Sequence, residues 1–394
     1  MIRKAATTLA RRARKLLPMR GFTFGRPLVM LQSDDWGRVG VRDKEGWEAL
    51  RTAGIALGEK PYDYYSMETA DDVDAMRETL ASHRDHSNRA ACLQMNFMAA
   101  NVDFAQTAQD DFKAMHLKPL HEGLPGHWKR PGLQDAYRRG INEGIFHPGL
   151  HGLTHFCASA VQSYLCQNNE RGDLLRTLWK AETPYIHWRM PWVGYEYWDA
   201  ELPVRERFLS RSRQAALIRE AASALRQMFG EAVLSAAAPG YRANDDTHRS
   251  WAQVGILVAQ NGPGADRAAY LDKRGLLHIF RSLDFEPVVD PHFSVERSLR
   301  VADSYISCGL PLVVSVHAIN FQSALKDFRR TTLHALHQFL GALERRYPDL
   351  CYIHDADLWQ IVNYGKYEHP SGMVKVTAQH GLLARRTAME EASA

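Results

Sequence analysis

Apolar residues fall along this chain in two rhythms. Short runs at 28–32, 91–95, 233–237, 277–280, 312–316 and 351–353 are apolar at nearly every position, as in strands buried on both faces. Between them, 75–82, 205–229, 295–307 and 331–346 carry apolar residues at the three-and-four spacing of an amphipathic helix. Strands alternating with helices predict a parallel sheet, closed or open, with helices outside it. The stretch 162–199 fits this alternation poorly. It gathers Tyr185, Trp188, Trp192, Tyr195, Tyr197 and Trp198 around Pro184 and Pro191, and reads as an aromatic-rich excursion from the main body. After about His369 the periodicity fades, which predicts an extended or disordered tail.

Composition narrows the picture. The chain has 394 residues, 45% hydrophobic and 24% charged, enough to bury a large core. No stretch of about 18 apolar residues occurs. The five cysteines (Cys92, Cys157, Cys166, Cys308 and Cys351) are scattered and include no Cys-x-x-Cys, arguing against a disulfide framework or a zinc ribbon. Net charge is +4, yet the first 30 residues hold eight cations and no acid, so the remainder sums to 4 − 8 = −4. A body that coats nucleic acid is not expected. The basic start, with Ile2, Leu9, Leu16 and Leu17 at roughly helical spacing, suits an amphipathic helix on an anionic membrane surface, a helix docked on its own domain, or a transit segment. Arg11, Arg12 and Arg14 interrupt its apolar residues, against a secretory signal.

Several strand ends carry chemistry. The first predicted strand runs into Ser33-Asp34-Asp35-Trp36-Gly37. Neighbouring side chains of an extended backbone point to opposite faces, so one carboxylate can hold a cation while the other acts as a base. An Asx turn at a strand end is the plainer alternative. His151 and His155 stand four apart and would share one face of a helical turn, where two neutral imidazoles can hold one ion. His147 repeats the spacing, but Pro148-Gly149 separates it from that turn. The run 312–316 delivers His317, a residue able to donate a proton near neutral pH, or else a satisfied core histidine. The run 233–237 leads into Pro239-Gly240-Tyr241-Arg242, a turn that could aim a backbone N–H at an oxyanion.

Taken in chain order, these pieces resemble the polysaccharide deacetylase superfamily, whose motifs are Thr-Phe-Asp-Asp, His-Ser/Thr-x-x-His, Arg-x-Pro-x-Gly and Leu-x-His. They are most similar to a bacterial branch with Ser-Asp-Asp-Trp-Gly, His-Gly-x-x-His, Ala-Asn-x-Asp-Phe, Gly-Tyr-Arg-Ala, Phe-Glu-Pro and His-x-x-Asn. Here these stand at 33–37, 151–155, 100–104, 240–243, 285–287 and 317–320. The resemblance implies a distorted (β/α) barrel over residues 25–368, between a basic extension (1–24) and a tail (369–394). It implies Asp34 as general base, His317 as general acid, and Asp35, His151 and His155 as ligands of a divalent metal, zinc by default, with cobalt, nickel or manganese also suited. Tyr241 and Arg242 would support catalysis. Trp36, Trp188, Trp192 and Asn320 would meet the substrate, an acetylated amino sugar or polysaccharide precursor. The arginine that supports the base in this family is absent, since Ala237 precedes Ala238-Pro239-Gly240. Arg242 is the candidate substitute, and Asp284 and Glu286 both could tune His317.

Two other classes remain in view. A non-haem iron oxygenase also uses two histidines and a carboxylate, but the His-x-Asp found here, His83-Arg84-Asp85, lies in a polar stretch. A carbohydrate-binding or scaffold barrel without activity would fit the missing arginine. No Walker loop or Gly-x-Gly-x-x-Gly occurs. The expected setting is cytoplasmic, with peripheral membrane contact through the basic start; the oligomeric state is not encoded.

Overall fold

The computed structural model describes residues 19–186, 190, 193–263, 268–369 and 372–383. Its centre is a run of parallel strands: β1 (Leu28–Trp36), β2 (Leu93–Phe97), β3 (Phe146–Leu150), β4 (Ser235–Ala237), β5 (Val258–Asn261) and β6 (Leu277–Phe280), paired in that order. After β6 come Arg281 and Ser282, then β7 (Leu283–Asp284), which pairs with β8 (Leu312–His317), itself paired with the free side of β1. The segment 277–284 is therefore one kinked stave. Its first half closes on β5 and its second on β8, with Arg281 N–H donating to Asn261 O and Ser282 N–H to Val313 O at the crossover. The sheet thus returns on itself as a distorted α/β barrel, and helices including Ala70–Ala81, Leu133–Asn142, Arg211–Phe229, Val295–Ile306 and Arg329–Arg346 pack around it. Its thinnest seam is between β3 and β4, matched only at Leu150 and Ala236.

Alternation along each stave sorts inside from outside. In β1, Val29 and Leu31 join the large core under the helices, while Leu28 and Met30 join a second cluster with Val258, Leu277, Ile279 and Val313. Helix Asp355–Tyr364 adds Leu358 and Ile361 to that inner cluster. Continuing the inner face, the next positions are polar. Gln32 Nε2 donates to Asp355 Oδ1 (2.8 Å), Gln260 Nε2 to Asp355 Oδ2 (2.8 Å), and Asn96 Nδ2 to Gln260 Oε1 (2.7 Å). Above this layer, on the same face of β1, stands Asp34. The interior thus grades from an apolar floor to a polar, functional mouth at the strand C-termini.

Three expectations change. Phe146–Leu150 is a strand although it contains Pro148-Gly149, and a Cβ on Gly149 would lie 2.2 Å from Asn96 Oδ1, so the glycine makes room for the polar layer. His151 to His155 form a loop after that strand rather than a helical turn. Residues 19–24, assigned to a basic extension, form a strand (Met19–Phe24) antiparallel to Ala378–Leu383 in the expected tail, and Lys366–His369 forms a hairpin with Gly372–Lys375. Backbone pairing with a partner some 360 residues away leaves no local periodicity to read. Residues 1–18 lie outside the described residues. Among the described residues no helix is long and apolar enough to cross a membrane.

Candidate metal centre at the barrel mouth

Two adjacent carboxylates reach one mouth because β1 ends in a bulge. Ser33 pairs with Met95 and Trp36 with Phe97, so one extra residue lies on the β1 side. Asp35 occupies it with φ 76°, a left-handed conformation uncommon outside glycine. The turn is bolted down on several sides. Tyr65 O–H donates to Asp35 O (2.8 Å), Gly37 N–H to Glu68 Oε1 (2.8 Å) and Val39 N–H to Asn101 Oδ1 (3.0 Å).

Asp35, His151 and His155 are buried, and one donor atom from each lies within 4.8 Å of the others. Asp35 Oδ1 is 3.1 Å from His155 Nε2 and 3.5 Å from His151 Nε2, and it has no hydrogen bond of good geometry. Donors about 2.1 Å from a common zinc ion stand about 3.0 Å apart at right angles and about 3.4 Å apart at tetrahedral angles. The observed separations fit such an ion. His151 is also in the right tautomer, since Ala237 O accepts from Nδ1 (3.0 Å) and leaves the Nε2 lone pair facing Asp35. Burial pushes His155 down to about 4, so its imidazole is neutral at physiological pH. The loop between the two histidines wraps a carboxylate that the sequence did not single out. Leu153 and Thr154 N–H both donate to Glu196 Oε1 (2.9 Å each), and burial pushes Glu196 up to about 7.

Asp34 has different neighbours. Its Oδ1 accepts from Asn96 Nδ2 and from Arg281 Nη2, each at 2.7 Å. Burial would raise its pKa, but Arg281, with His151 and His317 nearby, outweighs burial and holds it below the usual carboxylate range. Arg281 is fully buried and also donates to the Ser315 and Tyr241 hydroxyls (2.6 Å each). It stands where Arg242 was expected. Arg242 is instead exposed, over the rings of Trp198 (4.9 Å) and Tyr195 (5.6 Å). Parity was the available signal, because Leu277, Ile279 and Arg281 share the inward face of one stave.

His317, half-buried, has Nδ1 2.5 Å from Glu286 Oε1, which also accepts from the His317 N–H (3.1 Å). Burial opposes a charge on this ring, but Glu286, Asp35 and Asp34 outweigh it and push His317 up to about 9. Of the two acids considered as its partner, Glu286 makes the contact, while Asp284 is exposed. Asn320 is buried beneath, donating to Glu286 Oε2 (2.5 Å), so it braces the acid and has no surface for substrate. Trp36 is likewise enclosed, stacked on Phe321 at 5.9 Å. The Tyr241 N–H donates to Ala238 O (2.8 Å), closing its own turn rather than facing the mouth; the Tyr241 hydroxyl is the atom joined to Arg281. Trp188 and Trp192 lie outside the described residues. The His83-Arg84-Asp85 triplet gathers no site. His83 bonds Glu344 and His337, and Asp85 accepts from the Ser87, Arg89 and Tyr352 N–H groups.

Fold and site together define a barrel protein with a buried Asp-His-His cluster beside an arginine-held aspartate and a carboxylate-held histidine. No family model and no curated protein matches the chain. Among solved structures, a Mycobacterium smegmatis protein designated a polysaccharide deacetylase aligns at a TM-score of 0.45 and 11% identity, over 88% of this chain and 95% of that one. A Puue allantoinase aligns at 0.44 and 12%, over 84% and 89%. A pseudoenzyme of carbohydrate esterase family 4 from Bacillus anthracis aligns at 0.39 and 9%, over 86% and 68%.

Proposed function

We propose that this chain is a metal-dependent hydrolase that removes an acetyl group from an amino sugar or glycan precursor. The observation that carries the reading is the buried, unbonded Asp35 Oδ1, flanked by two imidazole nitrogens at the edge lengths of a metal coordination shell. Asp35, His151 and His155 would hold the cation; zinc, cobalt, nickel or manganese all suit this donor set. When bound there, it would supply Lewis acidity to an amide carbonyl and to water.

The chain's own groups divide the proton work. Asp34, kept ionised by Arg281 and Asn96, can accept a proton, and its depressed pKa means it can take one only from an acidified donor. His317, pushed up to about 9, is protonated at neutral pH and can deliver a proton to a departing amine. Glu286 fixes its ring by holding Nδ1, so Nε2 is the atom that donates. This is the pairing that amide hydrolysis needs, with a base and an acid set apart by their surroundings.

Purified wild-type protein is expected to contain one divalent metal, absent from His151→Ala. It is also expected to release acetate from an N-acetylated oligosaccharide, with Asp34→Asn slower by about 10²–10⁴-fold. Equal acetate release by wild type and Asp34→Asn would remove the assignment.

A further inference from the structure

An imidazole that binds a metal through one nitrogen normally donates its other N–H to a carbonyl, a carboxylate or water. His151 does so, with Ala237 O. His155 departs from this rule, because its Nδ1 lies 3.3 Å from Arg38 Nη1. A guanidinium only donates. A hydrogen bond between these atoms therefore needs the lone pair on Nδ1, which puts the proton on Nε2. That is the nitrogen 3.1 Å from Asp35 Oδ1. In this tautomer His155 turns an N–H rather than a lone pair toward Asp35, and has no lone pair left for a cation. The same arginine reaches the second carboxylate oxygen, with Nη2 3.5 Å from Asp35 Oδ2. Arg38 is buried, its guanidinium 3.8 Å over the Tyr65 ring and 2.6 Å from the Tyr185 hydroxyl. A positive charge that water scarcely screens thus occupies the neighbourhood a divalent ion would enter.

We propose that Arg38 is a resident cation that competes with the metal for Asp35 and His155, so that the metal is held less tightly than the same ligands would hold it without that charge, and enters as Arg38 turns away from both. This rests on the reading of Asp35, His151 and His155 as a metal site. It deepens that reading by assigning the site a built-in limit on affinity. Tyr185 belongs to the aromatic stretch beside the mouth, and it offers Arg38 a partner that can be kept when the contact with Asp35 is released.

The test is zinc titration of the full chain by calorimetry, comparing wild type, Arg38→Met, His151→Ala and the Arg38→Met/His151→Ala pair. Removing the charge is expected to tighten zinc binding at least about tenfold, and the added His151→Ala change to abolish the gain. Zinc is also expected to raise the melting temperature of Arg38→Met more than that of wild type. Should Arg38→Met not fold, Arg38→Gln takes its place, neutral but still able to donate to Tyr185. Neutral variants that bind zinc no tighter than wild type, while His151→Ala abolishes binding, would overturn the competition and leave the metal site standing. Wild-type zinc binding untouched by His151→Ala would overturn both.

Discussion

At the scale of residues, the two adjacent aspartates are set apart by their backbone conformation and by what surrounds them. Asp34 is defined by Arg281, and removing that partner would leave a buried carboxylate alone. Arg281→Met is expected to cost about 3–5 kcal/mol in denaturant unfolding at pH 7 and to abolish acetate release. Arg242→Ala, at an exposed cation–π contact, is expected to lose no more than about 1 kcal/mol and to keep activity. The reverse pattern would show that Arg242 supports the base after all. His317 makes a prediction in pH. Its folded pKa of about 9 lies above the usual 6.5, so the stability it contributes is complete below about 6.5 and lost as pH rises through about 9. The melting-temperature advantage of wild type over Glu286→Gln should therefore shrink across that window. A constant gap would count against the pair. The Asp-His-His cluster was legible in the sequence as residue types in order. The supports were not, because Arg281 is 247 positions from Asp34 and Glu286 is 31 from His317.

At the scale of elements, the candidate site depends on two irregular strand ends. The bulge at Asp34–Asp35 breaks the alternation that would have sent the carboxylates to opposite faces, and hydrophobic periodicity carries no mark of it. The loop after β3 is the second. Its two histidines come together beside Asp35 through a turn organised around Glu196, not through the helical turn that the spacing of four predicts. Gly152 has φ 96°, and a Cβ there would lie 2.4 Å from Glu196 Oε2, so loop and carboxylate fit each other closely. Glu196→Ala frees two buried N–H groups and loosens the turn. Its zinc affinity, measured by competition with a chelating indicator, is expected to fall about 10–100-fold. Unchanged affinity would mean the loop holds its shape without that carboxylate. The β3 strand itself escaped the sequence reading because Pro148-Gly149 has the composition of a turn, whereas here the glycine clears space for Asn96.

At the scale of the whole molecule, the alternation of strands and helices made the barrel legible, while its closure was not. The stave 277–284 reads as one apolar run and a loop, and only pairing with two different neighbours shows that it completes the ring. Ser282 sits at the crossover, where its N–H donates to Val313 O (2.9 Å) and its Oγ accepts from Val313 N–H (3.1 Å). Ser282→Pro removes the N–H donor, and the stability from chemical denaturation is expected to drop by about 1–3 kcal/mol. No change would place the ring's closure elsewhere. The stave also sets an order of events during synthesis. The ring cannot shut until β8 has left the ribosome, since β8 must lie between β1 and β7. Until residue 317 emerges, the nascent sheet from β1 to β6 is an open ribbon whose β1 rim lacks its β8 partner, while Tyr270 and Leu271 cover the start of β6, at an elongation pace of about 5–20 residues per second. Over that interval of seconds the unfinished chain is open to pairing with its neighbours on the same message, and chaperones would find their longest-lived target there.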